Sequence, residues 1–155
     1  MNQSTRMNVK MRRSVFKRVK EYFLSSDAER GGLIGSRRRL NRIDCFVPVS
    51  GAANAEQFVP DMEAVNGIIA RWRADGICFC GFVHSHPTGG GFLSQEDCRA
   101  AESWVQAAGL PFLFFGIVDG GGELHLYLAR QEEGGGIVIH PVTPSGKRKM
   151  KKQGY

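Results

Sequence analysis

The chain has 155 residues, of which 42% are hydrophobic and 23% charged. This length fits one domain, and this composition excludes wholesale disorder. No apolar run approaches the ~20 residues of a membrane span, and the N-terminus lacks the apolar segment of a secretory signal. With four cysteines and no such signal, we expect a reduced cytoplasmic protein without a disulfide framework.

The net charge of +6 is unevenly distributed along the chain. Residues 1–20 hold seven Lys and Arg and residues 147–152 hold five, whereas residues 21–146 hold nine basic against fifteen acidic residues. We expect one domain over residues 1–144 and a basic, disordered tail over residues 145–155. The tail has two interpretations, a solubilising segment or an electrostatic handle for nucleic acid or an acidic partner.

The first half of the chain alternates short strands with two amphipathic helices. Apolar residues at a spacing of three and four predict each helix, and runs rich in β-branched residues predict strands. Asp61 is a suitable N-cap for the second helix. The predicted elements are a strand at 7–11, a helix at 13–24, strands at 33–34 and 43–49, and a helix at 61–74.

The second half predicts a central strand, a third helix and three further strands. The apolar run before Pro87 is typical of a strand that is buried on both faces. The predicted elements are a strand at 77–84, a helix at 94–109, and strands at 112–118, 124–129 and 137–142. The sequence therefore predicts a mixed α/β fold, with a sheet flanked by about three helices.

One segment carries a candidate metal site. His84 and His86 lie two residues apart on an extended segment, so their side chains point to the same side. Ser94 is a suitable N-cap, and Asp97 at the third helical position can turn its carboxylate back towards the helix start. Two imidazoles and one carboxylate are a ligand set for Zn²⁺ that leaves the fourth position to water.

Each part of this pattern also has an ordinary explanation. Two histidines at a strand end can be surface residues, and a Ser-x-x-Asp sequence is what a plain helix N-terminus looks like. The combination in this order is far more specific than either part. Other metal-hydrolase motifs are excluded, because Thr88 replaces the Asp of the HxHxDH type and neither HExxH nor a deaminase HxE with CxxC is present.

Other ligand-type residues are interpreted as structural. We expect the four cysteines, Cys45, Cys78, Cys80 and Cys98, to pack in the core or to face away from the metal site. His125 and His140 lie on predicted late strands, and we expect neither to be a ligand.

The segment resembles the JAMM, or MPN-plus, metalloproteases of the JAB domain. Their motif is a glutamate followed at a distance by His-x-His-Pro-x6-Ser-x-x-Asp, and the chain matches every fixed position of the second part at His84, His86, Pro87, Ser94 and Asp97. The resemblance covers roughly residues 7–130. It implies a curved, JAB/MPN-like β-sheet with helices packed around it.

The resemblance also implies a chemical role for each residue of the motif. One Zn²⁺ per chain would be held by His84, His86 and Asp97, and Ser94 would help the zinc to stabilise the oxyanion. Glu29, just before a short glycine-containing strand, would be the general base. Spacing alone leaves Glu56, Glu63 and Glu96 open as alternatives to Glu29.

The family's activity is hydrolysis of peptide or isopeptide bonds, often after the C-terminus of ubiquitin or a ubiquitin-like protein. The chain is close to the minimal core of bacterial and archaeal members. Some of these act beside E1- and E2-like enzymes, including in antiphage systems, and others trim sulfur-carrier proteins. The resemblance thus implies a zinc peptidase or isopeptidase acting on a ubiquitin-like protein or its conjugate.

Two other classes of function are open. One is a non-catalytic MPN-type scaffold, which the intact ligand set argues against. The other is a nucleic-acid-binding module that uses the basic ends. The sequence has no recognised nucleic-acid motif, so we expect neither nucleic acid nor a membrane as a partner.

Overall fold

The computed structural model describes residues 8–26, 28–37, 41–53 and 58–145. Glu56, one alternative to Glu29, lies outside these residues, as does the predicted basic tail beyond Ser145. Within them, no helix is long and apolar enough to cross a membrane.

Three helices and ten strands occur in the described part of the chain. In chain order they are β1 (Lys10–Met11), α1 (Arg13–Leu24), β2 (Gly31–Ser36), β3 (Arg42–Ile43), β4 (Cys45–Val49), β5 (Gly51–Ala53), β6 (Phe58–Pro60), α2 (Met62–Ala74), β7 (Cys78–Ser85), α3 (Gln95–Ala108), β8 (Phe112–Val118), β9 (Leu124–Gln131) and β10 (Ile137–Val142).

The main sheet has six strands in the order β10-β9-β8-β7-β2-β4. Its neighbours are antiparallel except for the parallel pair β7 and β8. Parallel neighbours need a long crossover, and α3 provides it. The prediction of a mixed sheet flanked by about three helices is confirmed, and β7 lies near its centre.

The core lies on both faces of this sheet. Successive residues of a strand point to opposite faces, so Phe114 packs in one apolar cluster and its neighbours Leu113 and Phe115 pack in the other. Helix α1 covers the first face through its buried residues Val15, Val19 and Phe23. Helices α2 and α3 cover the second face through Val65, Trp72, Ala101 and Val105.

Several details differ from the predictions. The strand expected at 43–49 is interrupted at Asp44, whose carboxylate accepts the backbone N–H of Arg37 at 2.9 Å. Cys78 is exposed and not in the core, because it begins β7 at the sheet's end. The short hairpin of β5 and β6 was not predicted, since Gly51–Ala53 lacks an apolar alternation.

Candidate metal centre

Strand β7 ends at the candidate site. His84 pairs with Gly31 of β2 on one side and with Ile117 of β8 on the other, so its backbone is fixed by two strands. The backbone N–H of His86 donates to the carbonyl of Val118 at 2.9 Å, which extends this support beyond the strand. The two imidazoles lie on the same side, with their Nε2 atoms 3.1 Å apart.

The first turn of α3 brings Asp97 to the two histidines. Ser94 caps the helix by accepting the N–H of Asp97 at 3.0 Å, and Asp97 Oδ2 accepts the N–H of Ser94 at 2.9 Å. This reciprocal capping box turns the carboxylate back from the helix. Asp97 Oδ1 then lies 3.0 Å from Nε2 of His84, and Oδ2 lies 3.3 Å from Nε2 of His86.

These three side chains fit a zinc ion. Zinc–nitrogen bonds of about 2.0–2.1 Å in a tetrahedron place neighbouring ligand atoms roughly 3.3 Å apart. The observed separations of 3.0 to 3.3 Å are close to that value. Nδ1 of His84 is buried without a partner among the described residues, so the polar contacts of this ring lie on its Nε2 side, towards Asp97 and His86.

Electrostatics favour an ionised carboxylate at this position. Burial by itself raises the pKa of Asp97, but the hydrogen bonds with His84 and His86 outweigh it and hold that pKa well below its usual range. The hydrogen bond with Asp97 in turn raises the pKa of His86. An ionised Asp97 carboxylate beside the ring nitrogens of His84 and His86 is a ligand set suited to a divalent cation.

Glu29 lies beside the two histidines. It lies just before β2, is only 5% exposed, and offers a carboxylate oxygen within 4.8 Å of ring nitrogens of His84 and His86. Burial raises the pKa of Glu29. By contrast, Glu63 lies exposed in the first turn of α2, and Glu96 lies exposed on the wall of the groove. Of these three, the structure brings Glu29 close to both histidines.

Ser85 is a residue whose contribution sequence reasoning missed. It lies between the two histidines and points to the other side, where its hydroxyl accepts the N–H of Arg30 at 3.0 Å. The N–H of Ser85 donates to the carbonyl of Arg30, also at 3.0 Å. These two bonds fix the backbone next to Glu29, the neighbour of Arg30, close to the histidines. In the sequence, the only indication of this contact is that a small polar residue, Ser85, lies between the two histidines.

The site lies at the bottom of a groove of about 400 Å³. Its apolar walls are Phe58, Pro60, Phe82, Trp104 and Phe115. The β5–β6 hairpin supplies the first two of these. A second, more apolar cavity of about 750 Å³ lies between α2 and α3, away from the histidines, and shares Trp104 with the groove.

A second polar group, which we call the hairpin cluster, lies at the turn between β8 and β9. It consists of Asp119, Glu123 and His125, with Nε2 of His125 2.8 Å from Oδ2 of Asp119. Asp119 also accepts the backbone N–H groups of Gly121 and Glu123. This carboxylate is therefore already used to close the turn.

The sheet order, the crossover helix and the His–His–Asp group together define a JAB/MPN-like domain with a candidate metal centre. The model of the prokaryotic homologs of the JAB domain matches residues 19–139, and the chain therefore belongs to this family. No curated protein matches the chain.

Two solved structures show the same fold. A protein from Desulfitobacterium hafniense, solved in solution, is 18% identical, with a TM-score of 0.64 over 88% of this chain and 92% of that one. A JAB1/MPN domain protein from Archaeoglobus fulgidus is also 18% identical, with a TM-score of 0.50 over 88% of this chain and 98% of its own.

Proposed function

We propose that the protein is a zinc-dependent peptidase or isopeptidase that cleaves after the C-terminus of a ubiquitin-like protein. The observation that carries this proposal is the convergence of Glu29, His84, His86 and Asp97 at the bottom of one groove. Membership of the JAB family supports it, because that family includes metalloproteases.

His84, His86 and Asp97 would hold the metal. Zinc supplies Lewis acidity, which acidifies water and polarises a carbonyl. The protein's contribution is a rigid set of ligands, since strand pairing fixes His84 and the capping box fixes Asp97. The buried setting keeps bulk water from competing for these ligand atoms.

Glu29 would carry the proton. It accepts a proton from the attacking water and returns it to the leaving amine, the two steps of general base and general acid catalysis. The proximity of its carboxylate to the ring nitrogens of both histidines, within 4.8 Å, supports this role. Burial raises the pKa of Glu29, which makes its carboxylate a stronger proton acceptor in the first step.

Ser94 would donate to the oxyanion. Its hydroxyl oxygen accepts the N–H of Asp97, and accepting that bond leaves its own proton available. The side chain also lines the groove. A donor at this position would stabilise the charge that develops on the scissile carbonyl oxygen.

The groove favours a slender polypeptide end as substrate. Phe58, Phe82, Trp104 and Phe115 line it, and Trp104 also lines the apolar cavity between α2 and α3. A continuous apolar surface of this kind is suited to a folded protein with an extended C-terminus. We propose a cytoplasmic, bacterial-type system with E1- and E2-like partners, such as an antiphage conjugation system. Processing of a sulfur-carrier protein is the alternative with the same chemistry.

The direct test is cleavage of fusion proteins. The zinc-loaded full chain is incubated with ubiquitin-like and sulfur-carrier proteins, each carrying a C-terminal reporter. We expect cleavage after the carrier's C-terminus, abolished by a chelator and by Glu29→Gln. If the zinc-loaded chain leaves every fusion intact while another JAB-family protease cuts them, the peptidase is excluded and the scaffold interpretation replaces it.

A further inference from the structure

The loop that follows the two histidines is held by the hairpin of β8 and β9. The N–H of Gly120, in the hairpin turn, donates to the carbonyl of Gly89 at 3.1 Å. The hydroxyl of Tyr127, on β9, donates to the carbonyl of Gly91 at 2.6 Å. The carbonyls of Gly89 and Gly91 are thus held by the β8–β9 hairpin, which supplies none of the proposed metal ligands.

The carbonyl between these two faces the metal centre. Gly90 O lies 3.1 Å from Nδ1 of His86. A carbonyl only accepts, so Nδ1 carries the proton in this contact, and in the neutral imidazole that binds a metal Nε2 is then the atom with the lone pair. That lone pair points towards His84 and Asp97, where a metal would bind. The position of Gly90 therefore sets both the tautomer and the orientation of the ligand.

The ring of His125 supports the same loop. A Cβ at position 91 would overlap this ring, so glycine there lets the backbone pass directly against it. Gly91 is buried by this contact, although its neighbours Gly90 and Phe92 are exposed. Asp119 fixes the imidazole of His125 through the 2.8 Å contact.

We propose that Tyr127 is a positioning residue for His86. Tyr127 acts through Gly91, whose carbonyl it holds, while Gly120 holds the carbonyl of Gly89. Because both neighbours of Gly90 are fixed, the Gly90 carbonyl is fixed as well, and it orients the imidazole of His86. The loop has three glycines in succession and little stiffness of its own, so an external anchor is required. This inference rests on the metal centre proposed above.

The test is Tyr127→Phe in the full chain, which keeps the ring and removes the hydroxyl. The zinc dissociation constant is measured by competition with a chromophoric chelator, and the cobalt-substituted protein gives the visible spectrum. We expect zinc binding at least about 10-fold weaker and an altered cobalt spectrum, with little change in the thermal unfolding of the zinc-free protein. His125→Ala is expected to weaken zinc binding in the same direction by a smaller factor.

Tyr22→Phe is the matched control. The Tyr22 hydroxyl has no hydrogen bond among the described residues, so zinc affinity should match wild type. If Tyr127→Phe lowers the zinc-free unfolding temperature but keeps the wild-type zinc affinity and cobalt spectrum, Tyr127 is merely structural and this inference is wrong. If wild type itself binds no zinc, the proposed metal centre fails as well, so the two failures are distinguishable.

Discussion

The candidate metal centre and the hairpin cluster contain the same residue types in different surroundings. Each brings a histidine within 3.0 Å of an aspartate. The metal centre is assembled from three distant parts of the chain, around residues 29, 85 and 97, whereas the hairpin cluster comes from seven consecutive residues. Because the residues of the metal centre come from separate segments of the chain, their ligand atoms can converge inside one groove.

The two also differ in what their carboxylates already bind. The His84 and Asp97 side chains are 10% and 18% exposed, against 36% and 20% for His125 and Asp119. The carboxylate of Asp119 accepts two backbone N–H groups of its own turn. The carboxylate of Asp97 accepts one backbone N–H group, and its oxygens also contact the imidazoles of His84 and His86. Proximity of ligand types is therefore not sufficient for a metal site. The ligand atoms must also be buried, and hydrogen bonds from the local backbone must not already occupy them.

The largest expected effect comes from removing a ligand. His84→Ala should reduce bound zinc from about one per chain to near zero and abolish peptidase activity, because two ligands do not hold zinc in this geometry. His125→Ala should keep one zinc per chain at saturating metal. Metal analysis after dialysis measures both. Zinc lost from His125→Ala but kept in His84→Ala would place the metal in the hairpin cluster instead.

Removing the proposed base should affect catalysis but not the metal. Glu29→Gln keeps the shape of the side chain and should reduce kcat by roughly 10²–10⁴-fold, the usual contribution of a general base. The matched change in the hairpin cluster, Glu123→Gln, should leave kcat close to wild type. Steady-state cleavage of a reporter fusion measures both variants. Wild-type kcat in Glu29→Gln would remove Glu29 from the mechanism.

The sequence predicted those features that depend on residues close together in the chain. Apolar periodicity predicted α1 over the residues observed, and the Ser94–Asp97 cap was predicted from spacing. The contacts of Ser85 with Arg30 and of Tyr127 with Gly91 were not predicted. They join residues 55 and 36 positions apart, and no single-sequence pattern encodes such pairs.

The metal centre also depends on the sheet beneath it. Gly81, three residues before His84, packs so closely on β8 that a Cβ would overlap the carbonyl of Phe114. Gly81→Ala should therefore lower the free energy of unfolding by about 1–3 kcal/mol and weaken zinc binding. Gly67 lies in α2 with open space around it, so Gly67→Ala should raise the free energy of unfolding by up to about 1 kcal/mol. Urea unfolding measures both, and equal stabilities would contradict close packing at Gly81.

The smallest expected effect is a pH dependence in the hairpin cluster. The hydrogen bond with His125, together with the N–H of Glu123, lowers the pKa of Asp119 below its usual 3.8. Because the folded pKa is lower than the unfolded one, the stabilisation is present above about pH 3.8 and is lost as the pH falls below it. Asp119→Asn should therefore cost more stability at pH 5 than at pH 3, as measured by urea unfolding. A cost independent of pH would show that the charge contributes nothing.

In the proposed site, His84, His86 and Asp97 hold zinc and Glu29 lies outside the ligand set. The most direct test is the zinc content of purified wild type and Glu29→Gln, measured side by side after saturation and dialysis. We expect one zinc per chain in both proteins. Zinc absent from wild type, or lost in Glu29→Gln, would contradict it.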